Sequence, residues 1–299
     1  MSFGADWLAQ REGFDRRARE AADAPMDLRA LAQRLRRRGE PLAAIDLACG
    51  TGANLRHLAP RLGGPQRWTV VDHDARLLAA LPRALADWAR PRGFACTQAG
   101  AGLRLAGPDW QAEIGLLRLD LAASLAELPL AQAGLVTASA LLDLVSARWV
   151  EELIARVRPA GTALLFALSV DGRVAWEPRL DGDAAIQRLF AAHQGRDKGF
   201  GPSLGTAAAA FTAARMAAAG WRCAQIQTDW VIDAGGGAQA AGMLRTLIDG
   251  IAGAARVQSP ATAARIDAWR AERLERLPGS RLRIGHLDLL GEASGNDAE

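Results

Sequence analysis

The stretch that most constrains the fold runs Ile45-Asp46-Leu47-Ala48-Cys49-Gly50-Thr51-Gly52-Ala53-Asn54-Leu55-Arg56-His57-Leu58: an apolar strand, a turn carrying two glycines, and the start of a helix. A strand-to-helix turn that lets a ligand approach the backbone needs residues that lack Cβ and accept positive φ, which Gly50 and Gly52 supply. A second apolar run, Trp68-Thr69-Val70-Val71, ends in Asp72, 22 positions after Gly50. A carboxylate at that distance is where nucleoside-binding α/β folds hold a ribose. Dinucleotide loops add a third glycine five positions after the first, to pack helix and strand around phosphates. Here that position is Leu55. Asp46, in the strand just before the turn, would repel phosphates but can orient water and an ammonium group. The pattern therefore favours a cationic nucleoside ligand over a polyphosphate one and disfavours a nicotinamide-dinucleotide oxidoreductase.

The rest of the chain reads as alternating strands and helices. Strand-like runs at 43 to 49, 68 to 72, 114 to 120, 134 to 139 and 162 to 169 alternate with helical stretches at 53 to 62, 75 to 90 and 147 to 157. Such alternation predicts a doubly wound α/β fold, a mostly parallel sheet with helices on both faces. The glycine-containing piece from Pro91 to Trp110 fits an extra strand or hairpin. Residues 1 to 40 read as a helical cap and 41 to 170 as the binding core. After these come an insertion at 171 to 205, an alanine-rich helix at 206 to 219, a strand at 221 to 232 and helices from about 238 to 277. A last strand at 281 to 290 and a polar tail, 292 to 299, expected to be disordered, end the chain.

Asp46 to Asn54, DLACGTGAN, resembles the first motif of class I, Rossmann-like, S-adenosylmethionine-dependent methyltransferases, and Val70-Val71-Asp72-His73-Asp74 resembles their second. Leu117-Arg118-Leu119-Asp120-Leu121 is similar to the acidic third motif and Gly134 to Leu142 to the fourth segment. The resemblance is good over residues 43 to 170 and weakens beyond. It implies a seven-stranded sheet whose last strand is antiparallel, with 171 to 205 and 234 to 278 forming a lid over the substrate and 206 to 291 completing the sheet. It also implies S-adenosylmethionine as cofactor. Gly50 and Gly52 would face its methionine part, Asp72 its ribose hydroxyls, and Asp120 with the Leu121 amide its adenine edge. Asp46, Cys49, Asn54, His73, Ala138 and Ser139 lie in the same motifs and complete the candidate cofactor set. Cys49 has no evident activating partner and fits a small buried residue, and Asp74 suits a helix N-cap as well as a ribose.

Composition bounds the remaining choices. The chain has 299 residues, half of them apolar, enough for one large α/β domain with additions or two small ones. Its three cysteines lack framework spacing and its amino terminus lacks a signal-like pattern, so a reducing cytoplasm is expected. No apolar run approaches the ~20 residues of a membrane helix. The net charge is +3, and the basic run Arg34, Arg36, Arg37 and Arg38 is nearly offset by acids in the first forty residues, which reads as a solvated helix end. No nucleic acid or membrane partner is expected, and a homodimer is the prior for oligomeric state.

Methyl transfer from a sulfonium needs alignment and exclusion of water, and needs a base only when the acceptor begins protonated. Candidates belong at the carboxyl ends of the strands. Asp143 follows the fourth parallel strand and is the first candidate base, unless it caps the helix starting near Ser146. His193, in the charged glycine-rich stretch His193 to Gly201, is the second. Arg196, Lys198 and Phe200 of that stretch, with Trp7 of the first helix, are candidate substrate contacts. His286 and Asp288, two apart on the last strand, read as a buried pair more than as metal ligands, and no metal is expected. The fourth segment lacks the Asp/Asn-Pro-Pro-aromatic tetrapeptide of nucleobase amine methylation, and no Pro-Cys nucleophile is present. These residues point to a small-molecule acceptor methylated at oxygen or nitrogen. The alternatives are an RNA or protein methyltransferase, or a noncatalytic S-adenosylmethionine-binding regulator.

Overall fold

The computed structural model describes residues 4–293. Helices α1 (Ala5–Met26) and α2 (Leu28–Leu35) come first, separated by Asp27, whose side chain accepts from the Ala30 amide and so caps α2. Strand β1 (Leu42–Leu47) follows, buried along nearly its whole length because parallel neighbours take both its edges and helices take its faces. It leads into α3 (Ala53–Leu62), then β2 (Gly64–Asp72), parallel to β1, and α4 (Ala75–Ala89), which Asp74 caps by accepting from the Arg76 amide.

The Pro91 to Trp110 piece contains a hairpin, β3 (Ala95–Ala99) and β4 (Gly102–Ala106), turned at Gly100, whose φ of 58° is the left-handed conformation glycine accepts without cost. The hairpin pairs antiparallel with β5 (Trp110–Arg118), which runs parallel to β2. Then β6 (Leu135–Ser139) pairs in parallel with the other edge of β1. Helix α5 (Ala147–Val157), capped by Ser146, crosses over to β7 (Ala163–Glu177), parallel to β6. Next come α6 (Asp183–Gln194), α7 (Ala208–Ala218), β8 (Trp221–Gln227) and β9 (Trp230–Asp233). Helices α8 (Ala238–Gln258) and α9 (Ala263–Glu275) precede β10 (Arg281–Ala293).

The sheet order is β3-β4-β5-β2-β1-β6-β7-β10-β8, with β9 beside the start of β10. The five strands from β5 to β7 are parallel, and β10 is antiparallel to both its neighbours. This is the mixed, mostly parallel architecture expected, with ten strands instead of seven. Three additions account for the difference: the β3–β4 hairpin at one edge and β9 near the other. The single strand expected over 221 to 232 breaks at Thr228 and Asp229. There the Thr228 hydroxyl donates to Asp288 and the Asp229 carboxylate takes Arg173, drawing the chain off the ladder. Strand β7 also runs past residue 170 to Glu177, because Arg281 to Ile284 of β10 pair with its extension. The insertion expected from 171 thus begins inside a strand. Glu292 and Ala293 finish β10, and the rest of the expected tail lies outside the described residues.

Three apolar clusters hold these layers. One packs α3 and α4 on one face around Trp68, whose indole donates to Gln66 while Gln66 donates to the Ala59 carbonyl, so the polar atoms taken into the core are matched. The second packs α5 and α7 on the opposite face around Trp149 and Phe166. The third joins Phe14 and Ala18 of α1 to Trp230, Ile232, Leu244, Ile248 and Trp269, tying the first helix of the chain to its last third.

Candidate cofactor and acceptor cleft

At the carboxyl ends of β1, β2, β5 and β6 lies a cavity of about 320 Å³. A larger hollow, about 480 Å³, opens by Arg37, Glu40 and Thr69 toward the amino ends of the strands. Position decides between them, because open α/β sheets hold ligands outside the carboxyl ends.

The glycine turn forms one wall of the carboxyl-end cavity. Gly50 (φ 55°) and Gly52 (φ 83°) are left-handed, and so is Ala48 (φ 51°), a strained conformation for a residue with Cβ. The turn is clamped by the Gly50 amide donating to Asp72 Oδ2 (2.9 Å), by Cys49 N to the Val71 carbonyl (2.9 Å), and by Gly52 N to the Cys49 carbonyl (2.8 Å). Asp72 is buried, and its Oδ1 accepts from the Asp74 amide at 2.9 Å. Two amides therefore hold this carboxylate at the cavity wall, and each oxygen keeps a lone pair for a hydroxyl donor. A Cβ on Gly50 would lie 2.8 Å from Leu8 Cδ1, so α1 rests directly on the turn.

Of the residues expected from sequence, Gly50, Asp72, His73, Asp120, Leu121, Ser139, Lys198 and Phe200 border this cavity. Asp120 is exposed and braced by the Ala122 amide, and the Leu121 carbonyl accepts from the Trp149 indole at 2.8 Å. Phe200 stands edge-on to Trp149, centroids 5.8 Å apart. Its loop is fastened by Ser203 Oγ donating to the Leu144 carbonyl, by Leu204 N donating to that of Val145, and by Asp197 accepting from the Gly199 and Gly201 amides.

Asp46, Cys49, Gly52, Asn54 and Ala138 do not border this cavity, and Asn54 lines a neighbouring one with Arg19 and Glu12. Asp46 is fully buried. Its Oδ1 accepts from Asn54 Nδ2 at 2.6 Å, and its Oδ2 has no partner among the described residues. Burial pushes its pKa up to about 7, against the lowering pull of Asn54 and Arg19. Asn54 also donates to Thr137 and accepts from Arg19 Nη1 at 2.9 Å. Burial likewise drives the Cys49 thiol pKa well up, as suits an unreactive residue.

Arg19 is the buried cation behind the site that sequence reasoning missed most completely. It reaches from α1 into the sheet, where its Nε lies 3.6 Å from Asp288. Asp288 accepts from Leu168 N and Thr228 Oγ1 at 2.8 and 2.7 Å, filling irregularities where Leu168 turns left-handed (φ 56°) and β10 slips register. His286 and Asp288 are both buried, but His286 Nδ1 pairs with the Ile284 carbonyl at 3.0 Å, and no described hydrogen bond joins it to Asp288. No group of three metal-binding side chains occurs among the described residues.

Asp143 is half-buried between Leu141 and Leu144, which border the cavity, and does not border it itself. The cap of α5 is Ser146, so the capping alternative for Asp143 is overturned: a short 3-10 turn over Leu142–Leu144 places it one turn too early. Burial raises its pKa to about 6, against the pull of Arg11 and Lys198. His193 lies in the last turn of α6, away from the cavity, its pKa lowered by burial and then by Lys198 and Arg196. Trp7 packs beside Arg11, and Arg196 reaches the Val257 carbonyl; neither borders the cavity. The basic run is partly consumed at home, Arg34 by Glu292 and Arg36 by the Leu62 and Gly63 carbonyls.

Neither a family model nor a curated protein matches this sequence. Among solved structures, a cyclopropane-fatty-acyl-phospholipid synthase-like protein from Lactobacillus casei aligns over 97% of this chain and 94% of its own, with 14% identity and a TM-score of 0.50. Geranyl diphosphate C-methyltransferase from Streptomyces coelicolor (11% identity, 90% and 77% covered, TM-score 0.41) also aligns. So does an S-adenosylmethionine-dependent methyltransferase from Geobacter sulfurreducens in complex with S-adenosylhomocysteine (15%, 89% and 90%, 0.40). The first likeness establishes the fold over nearly the whole chain, well beyond the 43 to 170 span whose motifs resemble the methyltransferase family.

Proposed function

We propose that the protein is an S-adenosylmethionine-dependent methyltransferase acting on oxygen or nitrogen of a small molecule. The observation that carries this reading is the convergence of Gly50, Asp72 and Asp120 on one carboxyl-end cavity, in the order that the motif resemblance assigns to methionine, ribose and adenine. The lining fits such a cofactor: two carboxylates for hydroxyl and amine donors, a bare backbone at Gly50, and the apolar side chains of Leu77, Leu119 and Leu121 for a flat ring. When bound, S-adenosylmethionine supplies an electrophilic methyl group. The protein's part is to hold and exclude. Asp72 accepts from the ribose hydroxyls, the Gly50 turn admits the aminoacyl chain, and Leu141, Leu144 and Phe200 keep water from the transfer path.

We assign proton acceptance, where the acceptor begins protonated, to Asp143. It is the acid directly behind the Leu141–Leu144 wall, and catalytic contacts in an empty enzyme are often long until the acceptor is seated. His193 serves the site through its backbone, its carbonyl accepting from Lys198 Nζ at 3.1 Å. Calorimetry with S-adenosylhomocysteine and, in parallel, a nicotinamide dinucleotide tests the reading. Heat with the first alone is expected, and uptake of the dinucleotide alone would overturn it. At ~100 times its dissociation constant the ligand should stabilise the fold by about 2.7 kcal/mol. Asp72→Ala should remove most of that gain while the ligand-free protein still folds.

A further inference from the structure

Lys198 is the only lysine in a chain that otherwise uses arginine for its cations. Lys198 borders the cavity, its Nζ donating to the His193 carbonyl at 3.1 Å, and so does an arginine that sequence reasoning did not single out. Arg11 of α1 also lines the cavity. It is held rigid: Nε and Nη2 donate to Asp15 at 2.9 and 3.1 Å, and the guanidinium lies 5.0 Å from the Trp230 ring centroid. Asp15 Oδ1 is itself fixed by the Trp230 indole at 3.1 Å. None of the hydrogen bonds among the described residues uses Arg11 Nη1.

The charges sort the site into two ends. Arg19 acts on Asp46, beside the glycine turn, whereas Arg11 and Lys198 are the cations that act on Asp143, past the end of β6. The glycine-turn end thus has its own buried cation, and the second pair stands where an acceptor would sit. Asp15 pairs with Arg11 and Asp143 faces both cations, yet Asp143 does not border the cavity, whereas Arg11 and Lys198 do.

We propose that Arg11 and Lys198 form a two-point clamp for a carboxylate or phosphate on the methyl acceptor, so that the substrate class is a small anion-bearing metabolite. A fixed guanidinium supplies directed donors and a flexible ammonium closes on the same anion from the loop. The proposal rests on the methyltransferase reading and is tested separately from it.

The first measurement is S-adenosylhomocysteine binding to the full chain. Its absence counts against the cofactor reading alone. With that ligand saturating, calorimetry then compares benzoate and phenyl phosphate with the neutral benzamide. Both or either anion should bind at least tenfold more tightly than the amide, and the better one names carboxylate or phosphate. Arg11→Gln and Lys198→Met should each weaken the preferred anion roughly ten- to a hundredfold, the range for hydrogen bonds to charged groups. Their affinity for S-adenosylhomocysteine should stay within about twofold. Lys198→Met lies in a loop, so it remains informative if Arg11→Gln disturbs α1, and Arg11→Lys should recover part of the loss. Equal affinity for anions and amide, or anion affinity unchanged in Lys198→Met, would overturn the clamp. So would a loss of S-adenosylhomocysteine affinity in both variants, because the pair would then serve the cofactor's own carboxylate.

Discussion

Asp46, Asp72 and Asp143 show how one residue type divides its roles by surroundings. Asp72 is satisfied by two backbone amides and presents its remaining lone pairs to the cavity. Asp46 is sealed behind it with one oxygen unpartnered, and Asp143 is held near neutrality by burial. For Asp143 the sign follows directly. A base works when ionised, so kcat/KM should rise with pH through about 6 and level above 7. Asp143→Asn should lower turnover by roughly a hundredfold or more, within the range of general-base contributions, and remove that limb, with cofactor affinity unchanged. A pH–rate profile of both proteins checks this, and an unaltered limb in the variant would remove Asp143 from the chemistry. The motif residues were legible because each occupies a fixed offset from a strand end. Arg11 and Arg19 were not, since a helical residue's reach across the fold leaves no local pattern, whereas Lys198 stood out through the charged, glycine-rich stretch His193 to Gly201.

At the scale of elements, the parallel strands and their crossover helices were readable because apolar runs of strand length alternate with helix-period stretches. The late elements were less so. Strands β8 and β9 read as one run because the break between them is imposed by Asp288 and Arg173, contacts made from elsewhere in the sheet. Helix α1 shows the same dependence. Its outer surface carries ordinary charged residues, yet Arg19 is 4% exposed and sits among Asn54, Asp46 and Asp288. Arg19→Met would leave two buried acids without their cation and should cost about 3–5 kcal/mol, against little for the exposed neighbour Arg16→Met. Urea unfolding of the two variants gives the comparison. A loss below about 1 kcal/mol for Arg19→Met would mean that α1 is held by its apolar contacts alone.

Over the whole molecule, folding keeps imidazoles neutral as well as acids. Burial lowers the His286 pKa to about 4 and that of His57 to about 3, whereas Asp46 is raised to about 7. A base whose pKa falls on folding contributes stability that is complete above its unfolded value of about 6.5 and is lost as pH drops through the folded value. A raised acid acts oppositely: its contribution is complete below about 4 and is lost as pH climbs to about 7. The two trends oppose each other between pH 4 and 6.5, so the net curve there is shallow and the histidine part must be isolated by substitution. The stability gap between wild type and His286→Gln should narrow by about 1.4 kcal/mol per pH unit as pH falls from 6.5 toward 4. Melting curves across that range measure it, and a constant gap would show that His286 does not titrate on unfolding.

The bends at β1, β6 and β7 have a consequence for how this fold could be hardened against heat. Ala48 and Ala140 adopt left-handed φ just past the ends of β1 and β6, and Leu168 does so within the neighbouring β7, each a conformation where an L-residue gives up about 1–2 kcal/mol. Glycine at Ala48 or Ala140 would relieve that strain while loosening the bend. Ala48 and Ala140 both border the cavity, so the same two side chains that cost stability also limit the freedom of its mouth.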